Sequence, residues 1–103
     1  MTNITVRSAV SADNAGLARL AALDSASPPR GPALVAMADS RMLAALPLGA
    51  GRPIADPFEP TAEAVALLEL RARQLAERHV ERRGLADRLR SLVRAPLDAR
   101  RTA

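Results

Sequence analysis

Residues 52–75, RPIADPFEPTAEAVALLELRARQL, decide the fold of this chain, because they place a strand, a corner and a long helix in direct succession. The segment from Pro53 to Asp56 is typical of a short strand. Prolines bracket the corner 57–60, and each fixes φ and lacks an N–H donor, so the chain must turn there. Thr61 is a favourable helix N-cap, and Glu63 follows in the first turn, where the helix dipole favours an acid. The stretch therefore predicts a strand that turns sharply into a helix.

The predicted helix carries a one-sided stripe at spacings of three and four residues. The stripe consists of Val65, Leu68, Ala72, Leu75 and His79. Such a pattern predicts packing against a sheet or another helix. A second apolar stripe consists of Leu85, Leu89, Leu92 and Val93. Gly84 lies between the two and permits one helix or two. We predict a domain over residues 1–83 and an arginine-rich helical extension over residues 84–103.

Upstream of the corner, the pattern predicts three further strands and one helix. Residues 3–10, NITVRSAV, are rich in β-branched side chains and alternate, which indicates a strand. Residues 12–24 follow a helical repeat, with Ser11 as the expected N-cap. Residues 33–38, ALVAMA, and 41–46, RMLAAL, predict two strands joined by a two-residue turn.

This order predicts an α+β fold: a four-stranded, mainly antiparallel sheet with helices packed on it, in the order β-α-β-β-β-α with an optional second C-terminal helix. Pro47 and Pro53 cannot donate to a ladder, so the fourth strand should be short and lie at an edge. The 103 residues can bury only a modest core, and Phe58 is the single aromatic side chain. We therefore expect marginal stability for the isolated chain, which favours a partner.

Composition excludes several classes of protein. The chain has no cysteine, which rules out disulfides and thiolate chemistry. No apolar run reaches the roughly 18 to 20 residues of a spanning helix, and the N-terminus lacks the pattern of a signal peptide, so we expect a cytoplasmic protein. All fifteen basic residues are arginine, a composition typical of a GC-rich, actinobacteria-like genome.

The positive charge is confined to the C-terminal third. Residues 1–70 hold five arginines and seven acids, whereas residues 71–103 hold ten arginines and four acids. Binding to nucleic acid is one interpretation of this segment. However, it has no aromatic side chain to stack on bases, and acids interrupt its arginines. A solvated helix face, or a helix that docks on a partner through Leu85, Leu89, Leu92 and Val93, is favoured.

Three segments resemble the N-terminal half of the GNAT superfamily of N-acetyltransferases. Residues 4–9, ITVRSA, with Ser11-Ala12-Asp13 after them, are similar to the opening strand-to-helix step of that family. Residues 34–45, LVAMADSRMLAA, resemble its second hairpin, and residues 54–57, IADP, occupy the place of its fourth strand. The resemblance covers residues 3–75 and implies a partial GNAT-like fold.

The chain departs from that family where the family binds its cofactor. In GNAT proteins a glycine-rich loop after the fourth strand holds the pyrophosphate of acetyl-CoA through backbone N–H groups. Residues 58–64, FEPTAEA, take that place and contain no glycine. Glu59 and Glu63 add negative charge, and at ~4 Å like charges cost about 1 kcal/mol even in water. The family's later elements have no counterpart, so we interpret the chain as a truncated relative and expect no cofactor.

Two carboxylates at the corner are the candidate catalytic groups. Asp56 or Glu59 could act as a general base towards an amine. The alternative is a pair of acids that stabilise a turn and a helix entry, and this is favoured because the other groups of an acyl-transfer site are missing. The single histidine, His79, lacks a nearby set of metal ligands, and no nucleophile motif surrounds Ser25, Ser27 or Ser40.

The sequence thus leads to two hypotheses about function. The first is a non-catalytic module for protein interaction or oligomerisation, with the C-terminal helices binding a second copy or another protein. The second is an acyl-CoA-dependent N-acetyltransferase whose cleft is completed by a second chain, with acetyl-CoA as cofactor. Binding to nucleic acid is a third and weaker interpretation.

Overall fold

The computed structural model describes residues 3–49 and 51–102, with side chains up to Leu92. Its elements are β1 (Ile4–Ser8), a 3₁₀ helix (Ser11–Asp13), α1 (Asn14–Leu23), β2 (Ala33–Ala38), β3 (Arg41–Pro47), β4 (Ile54–Ala55) and α2 (Ala62–Thr102). The predicted α+β class and the predicted order of elements are confirmed. The chain separates into two compact units, residues 1–72 and residues 73–103.

The four strands form one antiparallel sheet in the order β1-β2-β3-β4. A tight turn joins β2 to β3, and Asp39 adopts a positive φ of 56° in it. Aspartate tolerates this left-handed conformation better than most side chains. The register shifts by one residue within this pair, since Ala36 lies opposite Ala44 and Met37 lies opposite Met42. Leu43 is therefore the extra residue of a β-bulge.

One face of the sheet is covered by α1. Its buried side chains Leu17, Leu20 and Ala21 form a single cluster with those of Val35, Met42, Ala45 and Ile54. Strand alternation places Leu34, Ala36, Ala44 and Leu46 on the other face, and these are also buried. In the first turns of α2, Ala64 and Leu68 are completely buried, and Ala62 and Glu63 line a cleft together with Ala38 and Leu43.

Several predicted details need correction. The predicted helix over residues 12–24 with Ser11 as its N-cap is not observed as such. A 3₁₀ helix that begins at Ser11 precedes α1, and Val10 is the N-cap of that 3₁₀ helix. The stripe on α2 includes Ala64, which the spacing missed, whereas the side chain of His79 is exposed. At Gly84 the sequence left one helix or two open, and the structure has one helix over residues 62–102. Over the described residues, no helix combines the length and the apolar content needed to cross a membrane.

An ion pair fixes the junction between β1 and the 3₁₀ helix. The Arg7 guanidinium donates to both carboxylate oxygens of Asp13, at 2.8 and 2.9 Å, and the Val10 N–H donates to Asp13 Oδ2 at 2.7 Å. The hydrogen bonds from Arg7, and then the one from Val10, lower the pKa of Asp13 to about 2. The carboxylate of Asp13 thus holds the end of β1 against the start of the helical segment.

This ion pair predicts a stability loss in acid. The folded pKa of Asp13, about 2, lies below its ordinary value of 3.8, so between these values the unfolded chain binds more protons than the folded one. The contribution of Asp13 is complete above about pH 4 and disappears as the pH falls towards 2. We expect the difference in Tm between the parent and Asp13→Asn to shrink over this range in thermal scans. Asp39→Asn removes the same charge from an exposed turn and should retain the Asp13 component.

Candidate functional site

The corner between β4 and α2 is built around a buried aspartate. Asp56 is 2% exposed. Its backbone N–H donates to the carbonyl of Leu43, the bulge residue, at 3.0 Å. Its side chain turns back on the chain, and Oδ1 accepts a hydrogen bond from the Phe58 N–H at 2.9 Å. This aspartate turn is what directs the chain from the edge of the sheet into the helix.

Two arginines face the second oxygen of this aspartate. Asp56 Oδ2 lies 3.9 Å from Nη1 of Arg19 and 3.8 Å from Nη2 of Arg41. Arg41 Nη1 lies 2.8 Å from Glu59 Oε1, and Arg19 Nη2 donates to the carbonyl of Met42 at 3.1 Å. We call the four charged residues Arg19, Arg41, Asp56 and Glu59 the corner cluster. It ties α1, β3 and the corner together.

The corner cluster leaves neither predicted base open to a substrate. The Asp56 side chain is only 1% exposed, and both of its oxygens face donors of the protein itself. Glu59 is more accessible, with 29% of its side chain exposed, but its carboxylate is paired with Arg41. A general base needs an open path to the proton that it accepts. The geometry therefore fits a helix-entry and turn role for both carboxylates.

The corner also offers no backbone donor for a phosphate. Pro57 and Pro60 have no N–H. The N–H of Phe58 is bonded to the Asp56 side chain, and that of Glu59 points to the Asp56 carbonyl at 3.4 Å. Since the Asp56 N–H is bonded to the Leu43 carbonyl, none of the five residues between β4 and Thr61 has a free N–H group. A pyrophosphate site at a helix N-terminus depends on such groups.

The clefts beside the corner do not make up for its missing N–H donors as a site for a phosphate. One, of about 500 Å³, is lined by three acidic residues, Asp39, Glu59 and Glu63, and by one basic residue, Arg41. Three acids against one base disfavour an anionic ligand. Another cleft, of about 790 Å³, lies between the proline-rich loop 26–32 and the segment 51–55. Its acid, Asp24, accepts a hydrogen bond from the Ala55 N–H at 3.2 Å and is therefore engaged in the fold.

The other candidates are dispersed. His79 is exposed on α2, and Ser25, Ser27 and Ser40 are exposed in turns or loops. Across the part of the chain that the structure describes, no three histidine, aspartate or glutamate side chains lie close enough to share a metal ion.

The second apolar stripe of α2 is open. Leu85, Leu89 and Leu92 are 58%, 55% and 69% exposed. Spacings of four and three residues place them on one face of the helix. The side chain of Val93, the fourth predicted interface residue, lies outside the described residues.

Sequence reasoning missed the two arginines of the corner cluster and the pairing of Arg7 with Asp13. Arg19 lies on α1 and Arg41 at the start of β3, so only the fold brings them to Asp56. For Arg41 the sequence held one local signal, its position directly after the predicted turn at Asp39 and Ser40. Comparison with known proteins found no matching family model, curated protein or solved structure.

Proposed function

We propose that this chain is a protein-interaction module whose C-terminal half of α2 binds another protein. The observation that carries the proposal is the row of Leu85, Leu89 and Leu92, each more than half exposed on one face of a helix. An amphipathic helix that lays such a row into a groove is a common mode of recognition. The corner cluster supports a non-catalytic role, since its charged groups pair with one another.

Burial of this row supplies part of the free energy of binding, and the remainder must come from contacts around it. Burying a leucine fully contributes about 1.5 to 3 kcal/mol. More than half of each of the three side chains is exposed, so their burial offers on the order of 4 kcal/mol. A few such anchors dominate the energy of most protein interfaces.

Charge defines the kind of partner. Arg78 and Arg82 precede Leu85 at spacings that place them on the same face of the helix. In residues 73–103 the arginines outnumber the acids nine to four. A second copy of this helix would bring like charges together, whereas an apolar groove with an acidic rim would match the row and its arginines. We therefore assign the partner to a different protein with such a groove.

The test compares three forms of the full chain as baits in extracts of the cells that encode it. Leu85→Asp with Leu89→Asp places charge in the middle of the row and should reduce capture of the partner at least tenfold. Val80→Asp is the matched control, because Val80 is 68% exposed but lies about 140° around the helix from Leu85. Its binding should equal that of the parent.

The captured protein is then purified and titrated against each form. A dissociation constant in the micromolar range or below, weakened only by the double variant, supports the proposal. An identical set of captured proteins for the parent and the double variant would exclude the leucine row as the binding surface.

The alternative is an acyl-CoA-dependent N-acetyltransferase whose cleft is completed by a second chain. The observation that favours it is the order of strands and helices, which is the order that the GNAT resemblance implies. The blocked N–H groups of the corner and the acidic cleft oppose it.

Calorimetric titration with acetyl-CoA separates the two functions. We expect no binding at millimolar ligand, because the corner has no free backbone donors and Glu59 and Glu63 lie near it. Micromolar binding of acetyl-CoA would contradict this expectation and favour the N-acetyltransferase hypothesis over the interaction module. Glu59→Gln with Glu63→Gln is an informative second sample, since a phosphate held at this corner would then bind more tightly.

A further inference from the structure

The pattern of hydrogen bonds within the sheet shows which backbone N–H and C=O groups of its two edge strands point away from it. The Ala9 N–H donates to the carbonyl of Ala33 at 2.8 Å, which continues the register in which Ile4 lies opposite Ala38. In an antiparallel pair, bonded and non-bonded positions alternate. Thr5 and Arg7 therefore bond to β2. The N–H and C=O groups of Ile4, Val6 and Ser8 point away from the sheet.

The edge formed by β4 is closed to a further strand. The Asp56 N–H bonds to β3, so the outward positions on this side are residues 53, 55 and 57. Pro53 and Pro57 have no N–H to offer. The N–H of Ala55 donates to the carboxylate of Asp24. Every outward N–H of this edge is thus missing or already bonded, and edge prolines are one means that natural sheets use against unwanted pairing.

In the part of the chain that the structure describes, the edge formed by β1 has neither prolines nor a side-chain acceptor for its outward N–H groups. Within the described residues, the outward groups of Ile4 and Val6 and the N–H of Ser8 make no hydrogen bond. The Ser8 carbonyl alone is covered, by Nη1 of Arg7 at 3.2 Å. The strand contains no proline, and its β-branched residues favour extended pairing.

We propose that β1 pairs antiparallel with β1 of a second copy of this chain, about a two-fold axis at Val6, so that two sheets join into one of eight strands. In this register Val6 faces Val6, Ile4 faces Ser8, and Thr5 faces Arg7. The segment is therefore complementary to itself, as a two-fold interface requires. The two Arg7 side chains do not oppose each other, and each is already paired with Asp13.

The edge is short, so the dimer should be weak. Five paired residues bury less than the roughly 1,200 Å² of a stable interface. We expect dissociation in the micromolar range. This dimer involves only residues of the first compact unit and is independent of the leucine row on α2. The variant with Leu85→Asp and Leu89→Asp should therefore dimerise like the parent.

Single cysteines report the register directly, because the chain has none of its own. In the proposed dimer the Cα atoms of the two residues 6 lie about 5.5 Å apart, within the range of a disulfide. The two residues 5 lie beyond about 7 Å, since each faces residue 7. We expect Val6→Cys to form a disulfide dimer at 100 µM under oxidised glutathione, and Thr5→Cys to remain mostly monomeric.

Sedimentation of the unmodified chain from about 1 to 500 µM supplies the second measurement. We expect a monomer–dimer equilibrium that Val6→Pro weakens at least tenfold, because this N–H is outside the β1–β2 ladder; Val6→Ala controls for the lost side chain. Amide NMR signals of β2 show whether each variant is folded. A monomer at every concentration, or equal crosslinking of Val6→Cys and Thr5→Cys, would overturn the proposal. If Val6→Pro does not fold, the crosslinking pair decides.

Discussion

Replacing Asp56 by alanine is expected to lower the free energy of unfolding of the first compact unit by about 2 to 3 kcal/mol. The hydrogen bond from the Phe58 N–H to a charged carboxylate contributes about 1.5 to 3 kcal/mol by itself. The pairs with Arg19 and Arg41 add less, because those side chains are 45% and 57% exposed and water screens them. Asp56→Asn keeps the shape and one acceptor, so its loss should be about half as large.

The control for this prediction lies in the same cluster. Glu59→Gln removes a carboxylate that is 29% exposed and pairs with the same Arg41, and it should cost less than about 1 kcal/mol. Unfolding in urea should be followed by amide NMR signals of β2, since the chain has no tryptophan or tyrosine. Equal losses for Asp56→Ala and Glu59→Gln would contradict the description of Asp56 as the central residue of the corner.

The distinction bears on function as well as stability. A catalytic aspartate must be open to its substrate, and for that reason it often contributes little to stability or lowers it. Asp56, in contrast, is enclosed by donors from α1, β3 and its own turn. A large destabilisation in Asp56→Ala would therefore agree with the interaction-module proposal. The sequence indicated two acids at the corner and favoured a turn and helix-entry role over that of a catalytic base. Their surroundings favour the turn.

The β2–β3 hairpin was predictable because its signals are local. Two continuous apolar runs on either side of a two-residue turn define β2 as Ala33–Ala38 and place the start of β3 at Arg41, both as predicted. The edge strands are shorter than the predicted ranges 3–10 and 53–56. An edge strand keeps its ladder only where one neighbour runs beside it, and Pro53 and the Asp56 turn limit β4 from both ends.

The errors in the prediction concern contacts that the local pattern of residues did not indicate. Ser11 had the chemistry of an N-cap, but it is the first residue of a 3₁₀ helix whose last residue, Asp13, pairs with Arg7. Likewise, the spacing on α2 gave the correct face at Leu68 but could not reveal the complete burial of Ala64. The corner cluster needs α1 and β3 to meet at one point, which no local pattern encodes.

The core on the α1 side makes Leu20→Ala the most disruptive substitution that we predict. Leu20 is among the largest fully buried side chains, and its cluster includes Ala21 and Ala45, which have no longer side chain to move into a cavity. Losses of about 3 to 5 kcal/mol follow where a leucine site cannot collapse. A unit of 72 residues has roughly 4 to 11 kcal/mol of stability in total. Leu20→Ala should therefore remove a large share of the stability of this unit and lower its Tm strongly.

Leu23→Ala is the matched control for this substitution. Leu23 lies on the same helix and is half-buried, so its loss should be about 1 kcal/mol. Urea titrations of both variants, followed through the amide signals of Val35 and Ala45, measure the difference. A loss below about 1 kcal/mol for Leu20→Ala would mean that α1 does not seal the sheet as described. A core without aromatic rings has few large side chains, so much of its stability depends on leucines such as Leu20. A partner that binds only the folded unit would increase its stability further by mass action.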